Sequence, residues 1–242
     1  MNAYPACCTA FEHHCPLPLP VVGSGFASCT FDPALIAADD FSRSGIARPA
    51  TIERSVAKRQ AEFLAGRLCA RQALAQLGVT DRGIPIGEDR APVWPAGISG
   101  AITHGQGWAA AIVAPLQAYR GLGLDVETIL APERAQRLAG EILTPAELER
   151  LPSNAARSAL AVTLTFSLKE SLFKALYPLV RRRFYFEAAE LLEWSDSGQA
   201  RLRLLEDLSE EWTRGSELEG QFQVTHDRLL SLVSIVGRRD ER

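Results

Sequence analysis

Two stretches of the chain superimpose without a gap. AITHGQGWAAAIVA (101–114) lies on QVTHDRLLSLVSIV (223–236), so that Ile102-Thr103-His104 meets Val224-Thr225-His226. Internal repetition is a strong constraint on a fold, because each copy must solve its burial problem in the same way. Each stretch reads as a hairpin: strand, short polar turn, buried strand. Upstream of each lies a segment of helical character, FLAGRLCARQAL (63–74) before the first and FSLKESLFKALY (166–177) before the second. Helix and hairpin therefore occur twice, which predicts an α+β protein of two similar halves, 1–116 and 117–242.

The helices carry a second message. At about 100° per residue, Val56, Phe63, Ala70, Leu74 and Leu77 form one stripe, and Val162, Phe166, Phe173 and Tyr177 form the other. Arg67 falls inside the first stripe and Glu170 inside the second. A charge aimed at a core is costly unless something answers it. Either the two answer each other as a buried ion pair, or both face a cleft, Arg67 toward an anion and Glu170 toward a cation.

Composition narrows the classes. The 242 residues are 47% hydrophobic and 23% charged, the usage of an ordinary globular protein. No run of 18 apolar residues occurs, and no Lys or Arg precedes Arg43, so neither a membrane span nor a signal peptide is predicted. The expected compartment is the cytoplasm. Five cysteines (Cys7, Cys8, Cys15, Cys29, Cys69) are odd in number and crowded into the first third, a poor disulfide framework. CCTAFEHHC fits no zinc spacing and, followed by CPLPLP, reads as an irregular arm.

A net charge of -3 argues against nucleic acid as a partner. Residues 51–75 nevertheless gather five cations, Arg54, Lys58, Arg59, Arg67 and Arg71, against Glu53 and Glu62. That predicts a local anion site.

GLGLDVETIL (121–130) is a strand-like run interrupted by Asp125 and Glu127. Residues two apart on a strand share a face with roots about 6.5 Å apart, where two carboxylates repel. With Glu170 as a third they form an all-oxygen set suited to a hard cation such as Mg2+. Lys174 stands four residues after Glu170, the spacing of a surface Glu to Lys pair if it stood alone. Taken together, metal, phosphates and a mobile cation in one site point to phosphoryl-group chemistry.

At this point the chain resembles the phosphopantetheinyl transferases, and among them the siderophore-type members. GLGLDVE resembles that family's acidic strand, FSLKESLFKAL its KES signature, GRLCARQAL its first-half helix, and ISGAITHG its Ser/Thr-His turn. The resemblance implies a monomer of two α+β halves related by a pseudo-two-fold, with coenzyme A in the cleft between them. It implies transfer of 4'-phosphopantetheine from coenzyme A to a serine of an acyl or peptidyl carrier protein, with 3',5'-ADP as the other product. Asp125, Glu127 and Glu170 would hold Mg2+. Glu170 would take the serine proton, directly or through water, and Lys174 would orient or protonate the departing oxygen. Thr103 and His104 would lie beside a coenzyme A phosphate, with Lys58, Arg59 and Arg67 on the 3'-phosphate. In GEDRAPVWP the family often has Lys where this chain has Ala91, and Arg90 is the expected substitute.

TPAELERL (144–151), with a capping-box pattern from Thr144 to Glu147, and the triplet Arg181-Arg182-Arg183 are two candidate docking faces for a carrier protein. A metal-dependent phosphatase would also want three carboxylates and several Arg, but gives no reason for the repeat. A non-catalytic module binding a nucleotide or carrier protein would be expected to have lost Asp125, Glu127, Glu170 or Lys174. All four are present.

Overall fold

The computed structural model describes residues 4–80 and 83–237, which divide into two compact units. The first is 4–15, 21–80, 83–119 and 237; the second is 16–20 and 120–236.

In the first unit, strand β1 (Gly25–Thr30) is followed by the short helices α1 (Asp40–Ser44) and α2 (Ala50–Glu53), the long helix α3 (Ala57–Gln76), and the hairpin β2 (Ile98–Gly105) and β3 (Trp108–Pro115). The strands form an antiparallel sheet in the order β1-β3-β2. The core between α3 and this sheet is built from small side chains, among them Ala65, Cys69, Ala73, Ala109, Ala111 and Val113. Small residues let the helix sit close: a Cβ at Gly66 would meet Ile102 Cγ2 at 2.8 Å. The arm at 4–15 forms no helix or strand; it bridges Cys8 with Phe31 and Glu12 with Ser28, and Cys7 is buried in the core.

In the second unit, β4 (Tyr119–Thr128) leads through α4 (Pro132–Ile142) and α5 (Pro145–Glu149) into α6 (Ala155–Val180), then to β5 (Ala189–Trp194), β6 (Gln199–Leu204), β7 (Glu217–Thr225) and β8 (Arg228–Val236). The sheet order is β4-β8-β7-β6-β5. Leu164, Leu168, Leu172 and Leu176 of α6 are fully buried against Leu202, Leu204, Leu229 and Val233 of the sheet. The capping box at Thr144 forms as the sequence predicts, with Pro145 in the first turn.

Both repeated hairpins are present, but their turns are offset. β2 keeps His104 in register opposite Ala109 and turns at Gln106-Gly107, whereas β7 stops at Thr225 and turns at His226, which takes the left-handed conformation (φ 58). The helical stripes also need correction. Val56 is an exposed N-terminal cap of α3, and Phe166, Phe173 and Tyr177 are half-buried. The aromatic stripe of α6 is a flank of the helix, and the leucine row beside it is the core face. A single-period reading misplaces the face because α6 is apolar on most of its circumference.

Candidate active site

The second unit's acidic strand is organised by two glycines. A Cβ at Gly121 would stand 2.2 Å from the Ala175 carbonyl oxygen, and one at Gly123 would stand 1.8 Å from that of Ser171. Backbone of α6 therefore lies directly on β4, which only glycine permits. Alternate strand residues share a face, so Asp125 continues the Gly121, Gly123 row one helical turn further along α6. There its Oδ2 accepts from Ser167 Oγ (2.9 Å) and its Oδ1 accepts from Lys174 Nζ (2.7 Å). Lys174 also donates to the Leu124 carbonyl (3.1 Å). The sequence placed Asp125 and Lys174 in one site, and the structure brings them into contact.

Glu127 and Glu170 complete the acidic group. Burial, then the Asp125 and Glu170 charges, push the Glu127 carboxyl up to about 7, with Lys174 opposing. Burial raises Glu170 as well, with Lys174 pulling down and Asp125 pushing up. The carboxylates thus sense one another. Glu170 also lines a cavity of about 190 Å³ with Lys169, Phe173, Arg183, Phe184, Tyr185 and Phe186. Ring contacts of Phe166 with Phe186 (5.4 Å) and Phe173 with Phe184 (5.2 Å) stiffen this aromatic flank.

Among the described residues no group of three or more His, Cys, Asp or Glu side chains stands ready to hold a metal ion. The chemistry of Asp125, Glu127 and Glu170 nevertheless fits Mg2+: their side chains offer only carboxylate oxygens, and their mutual repulsion and burial are what a hard cation relieves. Lys174 pairs with Asp125 at 2.7 Å.

In the first unit the same pitch of two strand residues per helical turn operates between β2 and α3. Gly66 lies under Ile102, so the residue one turn earlier on α3, Glu62, reaches the residue two further along β2, His104. Glu62 Oε2 is 3.7 Å from His104 Nδ1 and 3.6 Å from Arg59 Nη1, and Arg59 Nη1 donates to His104 Nε2 (3.0 Å). Arg67, only 8% exposed, stacks its guanidinium 4.6 Å from the Phe63 ring centroid, and its buried Nε has no hydrogen-bond partner. Burial and the nearby Arg59 lower it to about 10. Thr103 is buried on β2, Lys58 is exposed in the first turn of α3, and Arg90 sits exposed with a left-handed φ of 71° in the turn closed by Gly87 and Ala91.

Three polar side chains around the site carry no signal in the sequence. Ser167 was hidden because a serine in an apolar helix carries no signal of its own. The Glu147 to Lys169 pair was hidden because its members are 22 residues apart and Glu147 was already accounted for as a cap.

Comparison with known proteins gives a consistent result. A profile of the 4'-phosphopantetheinyl transferase N-terminal domain matches residues 47–114, and one of the 4'-phosphopantetheinyl transferase superfamily matches residues 121–228. The chain is 39% identical over 158 residues to enterobactin synthase component D of Escherichia coli (strain K12), spanning 65% of this chain and 73% of that one. It is 38% identical over 151 residues to the 4'-phosphopantetheinyl transferase Npt of Nocardia iowensis, spanning 62% and 66%. With the 4'-phosphopantetheinyl transferase PptT of Mycobacterium tuberculosis it shares 37% over 146 residues, spanning 60% and 63%.

Proposed function

The chain belongs to the 4'-phosphopantetheinyl transferase superfamily, and from that premise we propose how its residues carry the reaction. It is a transferase that moves 4'-phosphopantetheine from coenzyme A to a serine hydroxyl of a carrier protein, giving holo-carrier protein and 3',5'-ADP, in siderophore and nonribosomal peptide biosynthesis. Fatty-acid carrier protein is a second acceptor in this reading. The observation that carries it is the match of both family domains in order along one chain, which also supports action as a monomer. Cys29 and Cys69, free thiols with sulfurs 3.6 Å apart, are in keeping with a reducing cytoplasm.

In the transfer, the serine oxygen bonds to the phosphorus bearing the pantetheine while the bond from that phosphorus to the bridging oxygen breaks, and the electron pair leaves with 3',5'-ADP. Glu170 takes the serine proton, directly or through water; burial raises its carboxyl above the ordinary range, which makes it the stronger base. Lys174, already donating beside Asp125, orients or protonates the departing oxygen. Asp125, Glu127 and Glu170 would hold Mg2+, which would supply charge neutralisation at the pyrophosphate.

The remaining cations take the phosphates. An arriving phosphate oxygen satisfies the open Arg67 Nε and offsets the burial of its charge, with Lys58 and Arg59 nearer the solvent. His104 and Thr103 on β2 contact the same ligand, as does Arg90.

The test follows both products. Incubation with coenzyme A, Mg2+ and an apo peptidyl carrier protein should release 3',5'-ADP in one-to-one ratio with holo-carrier, and none without the carrier. Carrier-independent breakdown of coenzyme A would instead mark a phosphatase.

A further inference from the structure

A buried ion pair of the second unit lies one residue away from Glu170. Lys169 Nζ donates to Glu147 Oε2 at 2.7 Å and to the Ile142 carbonyl at 3.0 Å, with Lys169 4% and Glu147 5% exposed. Glu147 does more than pair with it. Its Oε2 also accepts from the Thr144 amide (2.7 Å), closing the capping box of α5, and its Oε1 accepts from the Leu191 amide of β5 (2.5 Å). One carboxylate thus joins α5, α6 and the edge strand, and Lys169 adds the last turn of α4.

We propose that Lys169 and Glu147 are a positioning pair that sets the rotation of α6 and thereby aims Glu170 at the reacting atoms. This rests on the reading above, in which Glu170 is base and metal ligand. On its β4 side α6 is held by Ser167 to Asp125 and by Ser167 and Ser171 to Ser231 Oγ, both at 2.8 Å. Held there alone, the helix could still roll about that line, because apolar contacts are not directional. Lys169 holds it at a second point on its circumference, and two points fix a cylinder's rotation. Glu170 is the next residue, about 100° around the helix, and it shares the cavity lining with Lys169. A buried ion pair is weak as a source of stability but is well suited to specifying geometry.

The experiment compares wild type, Lys169→Met and the double variant Lys169→Met/Glu147→Gln, which leaves no unpaired buried charge. It measures kcat and KM for coenzyme A, thermal melting, and the calorimetric Mg2+ affinity of the enzyme with coenzyme A bound. In the double variant we expect a cooperative melt, kcat reduced about tenfold or more, KM for coenzyme A within about twofold, and Mg2+ affinity weakened about fivefold or more. A folded double variant with wild-type kcat and Mg2+ affinity would overturn the proposal. So would activity lost only in proportion to the folded fraction, or failure of both variants to fold, since each makes the pair structural. If wild type itself neither transfers nor binds Mg2+, the reading of the site falls instead.

Discussion

At Glu127, burial and two neighbouring carboxylates hold a proton that an exposed glutamate would have lost, with the pKa pushed up to about 7. The sign follows from linkage. A folded-state pKa above the unfolded one favours folding while the group is protonated, so this contribution is full below about 4.5 and is lost as pH rises through about 7. In metal-free buffer Glu127→Gln should therefore melt higher than wild type at pH 8, by about 2–4 °C for an effect of roughly 1 kcal/mol in a chain this size, and the gap should close by pH 5. Adding Mg2+ should raise the wild-type melting temperature more at pH 8 than at pH 6, because the cation binds the ionised carboxylates. An equal Mg2+ response at both pH values would contradict this account of Glu127.

The glycines of β4 act at the scale of elements. Gly123→Ala puts a methyl group 1.8 Å from the Ser171 carbonyl oxygen, so α6 must lift from the strand. The expected cost is about 1–3 kcal/mol, seen as a melting temperature lower by several degrees, with activity falling as Lys174 and Asp125 separate. Gly140→Ala in α4 meets no atom within 4 Å and should raise stability by up to about 1 kcal/mol. Equal shifts for both would mean that helix propensity, not the helix-on-strand contact, governs Gly123.

This contact explains what the sequence could and could not reveal. The acidic strand, the KES helix and the two hairpins were legible because alternation and helical period act over neighbours. Asp125 and Lys174 were legible as members of one set by charge type alone. The docking of α6 by its leucine row was not legible, since a helix apolar on several sides has no single stripe. Nor was the Lys169 to Glu147 pair, because long-range partners leave no local spacing. The capping box was read correctly, yet its glutamate proved to serve a second partner.

At the scale of the whole molecule, the net charge of -3 leaves little long-range attraction for an acidic carrier protein, so local cations must supply it. Of the arginine triplet after α6, Arg182 is engaged with Glu206 and the Asp207 carbonyl, while Arg183 is exposed at the lining of the cavity beside Glu170. In TPAELERL, Leu148 is exposed at 39% and Leu151 packs against the α4 cluster. Of the two candidate faces we propose Arg183 as the docking residue. Arg183→Glu should raise KM for the carrier about fivefold or more and reduce its salt dependence, leaving KM for coenzyme A within about twofold. A matching rise in KM for coenzyme A would instead put Arg183 in the coenzyme A site.

If this chain transfers phosphopantetheine with the carboxylates of β4 and α6, intact-mass analysis of an apo peptidyl carrier protein after incubation will register it. With wild type, coenzyme A and Mg2+, the account predicts a gain of one phosphopantetheine per carrier. With Glu170→Ala, or with the metal chelated, it predicts a rate lower by about a hundredfold or more. An unmodified carrier with wild type, or full modification by Glu170→Ala, would contradict it.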